Sequence, residues 1–468
     1  MSRSFLVRLT DAVRIWAVTS LVAGAVLAFA STSVQAHDNP SDAPPAVPPA
    51  ELYAPSRMPD RIVLTWTGDT TTTQTVTWRT SVDVTRAFAE IAVADAGPNF
   101  PEKAKRIEAK TQPYESDPPE WHLHVVEFRE LSPATIYAYR VGDGTNWSEW
   151  FQFRTATTTP EPFSFIYVGD AQTDLRSRWS RVIRQAFIDA PRAAFTLHAG
   201  DLVTDADDDA LWGEWHGAGS WINAMIPVIA TPGNHDYISI KKPDGSRERR
   251  VSRHWSQFTF PANGVPQLPG SVYYIDYQNL RIVSLDSNQL QAEQVEWLDK
   301  VLDTDRTWKI VTFHHPIYST ARGRDNVKLR ELWKPIFDKH SVDLVLTGHD
   351  HAYGRSGLLE AVQNVPTGAS VRTPAGGTVY VVSVSGPKMY DLDANPRTEF
   401  RRAAEDTQLY QIISIDGTTL RYEARTAVGD VYDAFTLKKR PGQPNEMIEQ
   451  VPSTPERRRP PKPEKAAG

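Results

Sequence analysis

The chain has 468 residues, enough for two or three domains. Hydrophobic residues make up 40% of it and charged residues 23%, the balance of a soluble globular protein. The formal net charge of −6 argues against a general nucleic-acid-binding surface. The sequence has no cysteine, which excludes every metal site built on thiolates.

The first 36 residues have the pattern of an export signal. Three arginines precede an apolar stretch at residues 16–30, and a small-residue cleavage site ends at Ala36. The apolar stretch is shorter than the roughly 20 residues that a membrane span needs. We therefore expect an exported, periplasmic or extracellular protein without a stable membrane span after cleavage. A retained N-terminal anchor is the alternative.

Two further segments precede the second half of the chain. Residues 37–60 are rich in proline and alanine, which predicts a stiff, extended linker. Residues 61–156 alternate apolar and polar side chains with a period of two, which predicts a small β-sandwich. His122 and His124 lie two apart on one predicted strand, which is expected to be a plain surface strand, with a metal pair as the alternative.

From residue 160 the pattern changes to strands that alternate with amphipathic helices, which indicates a layered α/β domain over residues 160–437. The predicted buried strands are residues 163–168, 193–197, 226–230, 280–285, 308–313 and 342–346. Three predicted helices centre on Ile183, Leu298 and Trp333, and Pro335 is expected to kink the third. Residues 438–468 are rich in charge and proline without periodicity, which predicts a disordered tail.

Short polar segments follow five of the predicted strands. They are Gly169-Asp170-Ala171-Gln172, Gly200-Asp201, Gly233-Asn234-His235-Asp236, His314-His315-Pro316 and Gly348-His349-Asp350-His351. Because parallel strands carry functional residues in the loops at their carboxyl ends, we expect these side chains to meet at one edge. The glycines permit tight turns with the backbone close to a ligand. Carboxylate and amide oxygens with imidazole nitrogens are the ligands of hard-to-borderline divalent metals, so the set predicts a dinuclear site.

In this order the motifs resemble the calcineurin-like metallophosphoesterase superfamily. The β-rich front domain resembles a fibronectin type III domain, and with it the chain resembles purple acid phosphatases more narrowly. Tyr353-Gly354-Arg355, directly after the last histidine motif, adds to the likeness, which covers about residues 60 to 435. The resemblance implies an all-β sandwich followed by an α/β metallophosphoesterase domain, two divalent metal ions and a phosphate-ester substrate.

The resemblance also implies a role for each ligand. The bridge between the metals is expected to be Asp201, the ligands of the first metal Asp170 and His351, and those of the second Asn234, His314 and His349. Gln172 occupies the place where other members of the superfamily have a histidine ligand. Its amide oxygen is expected to bind the first metal, with a hydrogen bond to bound water as the alternative. His315 either lines the pocket or is simply packed.

One departure from the family bears on the metals. Purple acid phosphatases carry a tyrosine three residues after the bridging aspartate, and Thr204 stands there in this chain. A threonine hydroxyl is a poor substitute for a phenolate. We therefore expect two divalent ions of Fe, Zn or Mn rather than a ferric centre.

The function that follows is an exported, metal-dependent phosphatase acting on phosphate monoesters. Two divalent cations about 3.5–4 Å apart would lower the pKa of a bridging water, and the resulting hydroxide would attack phosphorus. His235 is predicted to protonate or stabilise the leaving oxygen, and Asp236 to orient it.

Several alternatives stay open at this point. The same site would serve a phosphodiesterase or nucleotide pyrophosphatase, and a non-catalytic surface-binding protein is a remote possibility. Arg322 and Arg324 either grip phosphate or lie in a solvated loop. The acidic run at 205–209 is expected to be a solvated loop and helix start, with extra metal ligation as the alternative. His198 is expected to be packed between layers.

Overall fold

The computed structural model describes residues 47–114, 120–242, 244–359, 362–364, 370–372, 377–393, 399–440 and 442–459. The predicted export signal and residues 37–46 of the predicted linker lie outside these ranges. The structural unit described below begins at Pro49.

The N-terminal part begins with helix α1 (Pro49–Leu52), so the linker is not extended throughout as predicted. The strands that follow are β1 (Asp60–Thr65), β2 (Gln74–Ser81), β3 (Phe88–Val93), β4 (Lys105–Glu108), β5 (Lys110–Pro113), β6 (Trp121–Phe128), β7 (Ile136–Gly142) and β8 (Phe151–Arg154). A 3-10 turn at Phe100–Lys103 lies between β3 and β4.

These strands form a sandwich of two antiparallel sheets, ordered β1-β2-β6-β5 and β4-β3-β7-β8. Period-two alternation directs side chains of both sheets into one shared core, which includes Trp78 and Phe128 from one sheet and Tyr139 and Phe153 from the other. The predicted sandwich is confirmed.

The rest of the chain alternates strands and helices. Its strands are β9 (Phe163–Val168), β10 (Thr196–His198), β11 (Val228–Ala230), β12 (Tyr237–Lys241), β13 (Arg247–Val251), β14 (Tyr273–Tyr277), β15 (Leu280–Ser284), β16 (Trp308–Thr312), β17 (Leu344–Thr347), β18 (Tyr353–Ser356), β19 (Val362–Asn364), β20 (Ser370–Arg372), β21 (Val379–Val382), β22 (Phe400–Ala404), β23 (Leu409–Asp416), β24 (Thr419–Thr426), β25 (Val431–Arg440) and β26 (Gln443–Glu449). Its helices are α2 (Ser180–Asp189), α3 (Asp209–Gly219), α4 (Val295–Leu302) and α5 (Val327–Lys339). A π-helical turn at Leu175–Trp179 leads into α2, and 3-10 turns lie at Ser220–Ile222 and Arg253–Gln257.

Two mixed seven-stranded sheets build this domain, ordered β11-β10-β9-β23-β24-β25-β26 and β14-β15-β16-β17-β21-β18-β22. Strands β9, β10 and β11 run parallel in the first sheet, as do β15, β16, β17 and β21 in the second. Apolar side chains of both sheets, such as Ile166 and Leu197 from the first and Ile310 and Leu346 from the second, belong to one buried core. The sheets therefore pack face to face.

Helices cover the outer faces of this pair of sheets. Val182 and Ile183 of α2 belong to the core of the first sheet. Leu298 of α4 and Trp333 of α5 pack with Val311 in a separate core on the second sheet. The predicted layered α/β domain is confirmed. Pro335 lies inside α5, and the kink expected there stays a prediction.

The predicted disordered tail is wrong over its first part. Strand β25 continues to Arg440 and pairs with β26, which forms an edge of the first sheet. Edge strands tolerate proline and charge because one side of their backbone faces water, which explains the misleading composition. Residues 460–468 of the predicted tail lie outside the described residues. Within the described ranges, no helix combines the length and apolarity required to cross a bilayer.

Candidate metal centre

The predicted ligands lie in loops at the carboxyl ends of parallel strands, but these strands belong to two sheets. The first sheet supplies Asp170 after β9, Asp201 after β10 and Asn234 after β11, and the second supplies His314 after β16 and His349 and His351 after β17. Asp170, Asp201 and His314 each offer a ligand atom within 4.8 Å of the others, and so do His314, His315 and His349. The sequence predicted that these residues meet at the carboxyl ends of the strands, but it did not predict that the strands belong to two different sheets.

The loops at this edge are tightly constrained. Gly200 has a φ of 88°, and a Cβ there would lie 2.6 Å from His314 Nδ1, so only glycine fits. Three site residues that are not glycine also adopt left-handed backbone conformations: Gln172 (φ 32°), Asp201 (φ 50°) and His349 (φ 69°). Such conformations cost free energy, and they cluster at functional sites.

One group of acceptor atoms surrounds His314. Its Nδ1 hydrogen bonds to the carbonyl oxygen of Ala199 at 2.9 Å. Its Nε2 lies 3.2 Å from an Asp201 oxygen, 3.2 Å from Asn234 Oδ1 and 3.2 Å from His349 Nδ1. Although burial lowers the pKa of His314, the carboxylates of Asp201 and Asp170 raise it to about 10. This corner of the site therefore strongly favours positive charge.

A second group joins Asp170 to His351. His351 Nδ1 donates to the carbonyl oxygen of Lys388 at 2.9 Å, which directs Nε2 towards Asp170 Oδ2 at 3.2 Å. Burial lowers the pKa of His351 to about 3, so this ring is neutral near pH 7 and Nε2 carries a lone pair. Asp170 Oδ2 is buried and accepts no hydrogen bond. Two lone pairs thus face each other in a dry site, where a cation fits and a hydrogen bond does not.

Asp201 lies between the two groups and is held from several sides. One of its oxygens accepts from Gln172 Nε2 at 2.7 Å, and the other from the backbone N–H of His235 at 2.8 Å. Burial acts to raise its pKa, but His314 and His235 outweigh burial and lower it. Gln172 contacts Asp201 through its amide nitrogen, and its direct ligation of a metal stays a prediction.

The expected contact between Asp236 and the His235 ring is wrong. Asp236 is fully buried, and its carboxylate accepts from the backbone N–H groups of Asp201, Leu202 and Gly233 at 2.8, 3.2 and 2.7 Å. The His235 ring instead donates from Nδ1 to the carbonyl oxygen of Thr204 at 2.6 Å. Side chains of adjacent residues diverge at a tight turn, so Asp236 fixes the loops while Thr204 orients the imidazole.

His315 and Arg324 support the group of ligands around His314, which includes His349. His315 Nδ1 lies 2.8 Å from Ser287 Oγ, and its ring centre lies 4.2 Å from that of His349. Arg324 hydrogen bonds to the buried carboxylate of Asp350 and to His349 Nε2. This contact leaves Nδ1 of His349 facing the cluster, so Arg324 positions a predicted ligand rather than lying in a solvated loop.

Three smaller predictions can be compared with the structure. Arg322 is exposed, in agreement with a solvated loop. Asp205, Asp207 and Asp208 are exposed ahead of α3, as expected for a loop and helix start, whereas Asp209 contacts buried arginines. His198 is buried, with its ring 5.4 Å from that of Trp215, as predicted.

The segment that follows β21 was not predicted from the sequence to contribute to the site. Lys388 Nζ donates to Gln172 Oε1 at 3.3 Å, and the Tyr390 ring lies 4.6 Å from that of His351. A signal was available, because Gly386 follows an apolar, β-branched run just as the glycines of the other motifs do.

Sequence comparison agrees with this architecture. The family model described as "Purple acid Phosphatase, N-terminal domain" matches residues 59–155, and the model "Calcineurin-like phosphoesterase" matches residues 163–353. Acid phosphatase type 7 of Homo sapiens is 26% identical over 337 residues, covering 65% of this chain and 72% of that protein. The Fe(3+)-Zn(2+) purple acid phosphatase 12 of Arabidopsis thaliana is 26% identical, covering 52% of this chain and 54% of that protein.

An uncharacterized protein of Mycobacterium tuberculosis is 28% identical over 292 residues, covering 54% of this chain and 53% of that protein. The chain thus spans about half the length of several curated relatives it matches. Among solved structures, purple acid phosphatase PPD1 from yellow lupin (Lupinus luteus) has a TM-score of 0.67 at 20% identity, covering 82% of this chain and 74% of that one. That likeness concerns the fold. Residues 163–353 thus form a calcineurin-like phosphoesterase domain, and the two-domain arrangement resembles that of the purple acid phosphatases.

Proposed function

We propose that this protein is an exported, metal-dependent phosphatase that hydrolyses phosphate monoesters. The observation that carries the proposal is the pair of buried acceptor groups on either side of Asp201. Each group brings acceptor atoms together around a position that favours positive charge, at an edge where loops of two sheets meet. The acid phosphatases among the relatives support the choice of substrate class.

The residues fit two divalent ions. Asp170 and His351 would hold the first, Asn234, His314 and His349 the second, and Asp201 would contact both. When bound, the ions supply an activated water and a positive clamp for the phosphoryl oxygens. The imidazoles are already oriented for this role, because His314 and His351 each direct Nδ1 to a backbone carbonyl oxygen.

His235 is the residue that we propose to act on the leaving group. Its backbone N–H binds Asp201, and its ring is anchored through Nδ1 to Thr204, so the half-buried ring stands beside the metal centre with Nε2 free of that anchor. In its protonated form the imidazole donates the Nε2 proton to the departing oxygen. The Nδ1–H stays bonded to Thr204 throughout and stabilises the cation.

The proposal for the metals is a pair of divalent ions of Fe, Zn or Mn. Val203 is fully buried, and Thr204 contributes its backbone carbonyl to His235. Neither side chain carries a phenolate that could bind a ferric ion. Elemental analysis of natively purified protein is expected to give two metal ions per chain with no strong visible absorption band. A strong charge-transfer band would contradict the argument from Thr204.

The activity is tested with purified protein loaded with Mn or Zn. Turnover of p-nitrophenyl phosphate is expected, and Asp201→Asn and His349→Ala should abolish it while the circular dichroism spectrum is kept. Full activity in both variants would refute the proposal. Bis(p-nitrophenyl) phosphate serves as the comparison substrate, and a strong preference for it would replace the monoesterase by a phosphodiesterase.

Export is part of the proposal and rests on the basic start, the apolar stretch and the small-residue site that ends at Ala36. Expression of the full chain in a bacterial host, followed by N-terminal sequencing of the product outside the cytoplasm, is expected to give a mature protein that begins at His37. An uncleaved product that fractionates with membranes would favour the retained anchor.

A further inference from the structure

The segment at residues 384–390, after β21, is hydrogen-bonded to both members of the Asp170–His351 group. Val384 forms a β-bridge with Asp170, and the backbone N–H of Gly386 donates to the carbonyl oxygen of Asp170 at 2.7 Å. Further along, Tyr390 N–H donates to the carbonyl oxygen of His351 at 2.8 Å, and His351 Nδ1 binds the carbonyl of Lys388. The backbone on both sides of Lys388 is therefore fixed relative to the metal ligands.

Lys388 decides which way the Gln172 amide faces. An ammonium group only donates hydrogen bonds and a carboxylate only accepts them. Lys388 Nζ lies 3.3 Å from Gln172 Oε1, while Gln172 Nε2 lies 2.7 Å from Asp201. With both ends of this fully buried amide so defined, its oxygen is turned towards the lysine, and its nitrogen donates to the carboxylate that would lie between the metals.

The charge of Lys388 is not neutralised within the described part of the chain. Its side-chain nitrogen bonds there to a neutral amide and lies 5.7 Å from the centre of the Tyr390 ring, and the residue is half-buried rather than enclosed. Of the three donors of an ammonium group, one is used by Gln172. Arg324, by contrast, is paired with the Asp350 carboxylate. Of these two cations beside the ligands, Lys388 is the one whose charge is not paired with a carboxylate of the described residues.

We propose that Lys388 binds the non-bridging oxygens of the substrate phosphoryl group and thereby favours monoester dianions over diester monoanions. This inference rests on the proposed phosphatase function and names the residue that sets its substrate class. A phosphate monoester carries about twice the negative charge of a diester near neutral pH. A fixed ammonium group beside the first metal position therefore interacts more strongly with the monoester.

The test compares Lys388→Met with Lys388→Arg in the metal-loaded, full-length protein. Three quantities are measured: metal content, the dissociation constant of inorganic phosphate by calorimetry, and kcat/KM for p-nitrophenyl phosphate and its bis-ester. The methionine variant is expected to keep both metals, to bind phosphate about tenfold more weakly or worse, and to lose several-fold more monoester than diester turnover. The arginine variant should restore phosphate affinity to within about threefold. Lys300→Met, at an exposed position of α4, is the matched control and should behave as wild type.

Two results would overturn the inference. One is unchanged phosphate affinity and an unchanged monoester-to-diester ratio in Lys388→Met. The other is loss of a metal ion from that variant, which would make the lysine a support for Gln172 rather than a contact for substrate. Phosphate binding does not depend on turnover, so an inactive wild-type protein would refute the phosphatase proposal while leaving the role of Lys388 testable.

Discussion

Two clusters of polar side chains in this protein contain the same kinds of residue but differ in whether their hydrogen-bond donors and acceptors match. At the contact between the sandwich and the α/β domain, the Asp209 carboxylate accepts from Arg61 at 2.7 Å, from Arg79 at 3.1 Å and from His254 at 3.2 Å. Although burial acts to raise its pKa, the hydrogen bonds from His254 and Arg61 hold the pKa of Asp209 well below its ordinary value. Donors and acceptors match there without any added ion.

The metal centre is assembled in the opposite way. Burial raises the pKa of Asp170 to about 7, and the nearby carboxylate of Asp201 acts in the same direction. One oxygen of Asp170 also has no hydrogen-bond donor. A cluster that satisfies itself contributes to stability, whereas a cluster of unmatched acceptors costs stability until a cation binds. The comparison therefore separates a structural ion cluster from a functional one, and substitutions in the two should have opposite consequences.

The largest effect is expected from Asp170→Asn. The amide keeps an oxygen for the backbone N–H of His349, which now binds Asp170 Oδ1 at 2.6 Å, and places an N–H donor opposite His351 Nε2. Activity should fall by more than about a thousandfold with loss of a metal ion, because several kcal/mol of transition-state stabilisation are removed. The metal-free variant should nevertheless unfold at the same urea concentration as metal-free wild type or a higher one. Clear destabilisation of the metal-free variant would contradict our account of this cluster.

A second test separates chemistry from metal binding at the same edge. His235→Gln is expected to lower kcat by about 10²–10⁴-fold while both metals stay bound, since the ring donates to the backbone carbonyl of Thr204, which is not a predicted ligand. Metal analysis and steady-state kinetics on the same preparation measure this. Loss of metal from His235→Gln would instead indicate a supporting role for the loop.

The sequence predicted which residues lie at the edge that forms the metal centre, but it did not predict which side chains contact one another there. Asp170, Asp201, Asn234, His314 and His349 could be found because each follows a strand whose apolar run is visible locally. Which sheet each strand joins depends on long-range pairing, so the junction of two sheets was not visible. The pairing of Asp236 with His235 failed because adjacency in sequence does not fix side-chain direction at a turn. Lys388 was missed because it lies more than 200 residues from Gln172, which it contacts.

At the interdomain cluster, Asp209→Asn should cost stability and leave the chemistry alone. The substitution leaves Arg61 and Arg79, both buried, without their shared carboxylate, and breaking a buried ion pair in this way typically costs about 3–5 kcal/mol. Urea unfolding measures the loss, and activity per folded molecule should stay at the wild-type value. Glu108→Gln is the matched control, since the pair that Glu108 forms with Arg86 is exposed to solvent on both sides and should contribute little.

The smallest effect concerns a third kind of buried site, in which neutral groups satisfy a histidine. His124 on β6 is fully buried, which corrects the expectation of a plain surface strand, and its ring nitrogens lie 2.7 Å from Thr80 Oγ1 and 3.0 Å from Thr111 Oγ1. Burial lowers its pKa to about 4, against about 6.5 in the unfolded chain. Below pH 6.5 the imidazole of His124 therefore binds a proton in the unfolded state but stays neutral in the folded state until the pH approaches 4. The stability that this site contributes is complete above pH 6.5 and is lost as the pH falls towards 4.

The expected loss is up to roughly 3 kcal/mol in the free energy of unfolding over that interval, measured by urea denaturation at several pH values. His124→Gln should flatten this part of the pH dependence, because an amide keeps hydrogen-bonding capacity without titrating. His122→Gln, two residues away on the same strand and half-buried, should retain the wild-type profile. If His124→Gln kept the full slope, the acid sensitivity would arise at another site: either a buried histidine such as His198, whose pKa burial also lowers, or the metal centre. If the sensitivity arose at the metal centre, that cluster of unmatched acceptors would differ from the clusters with matched hydrogen bonds in its response to acid as well.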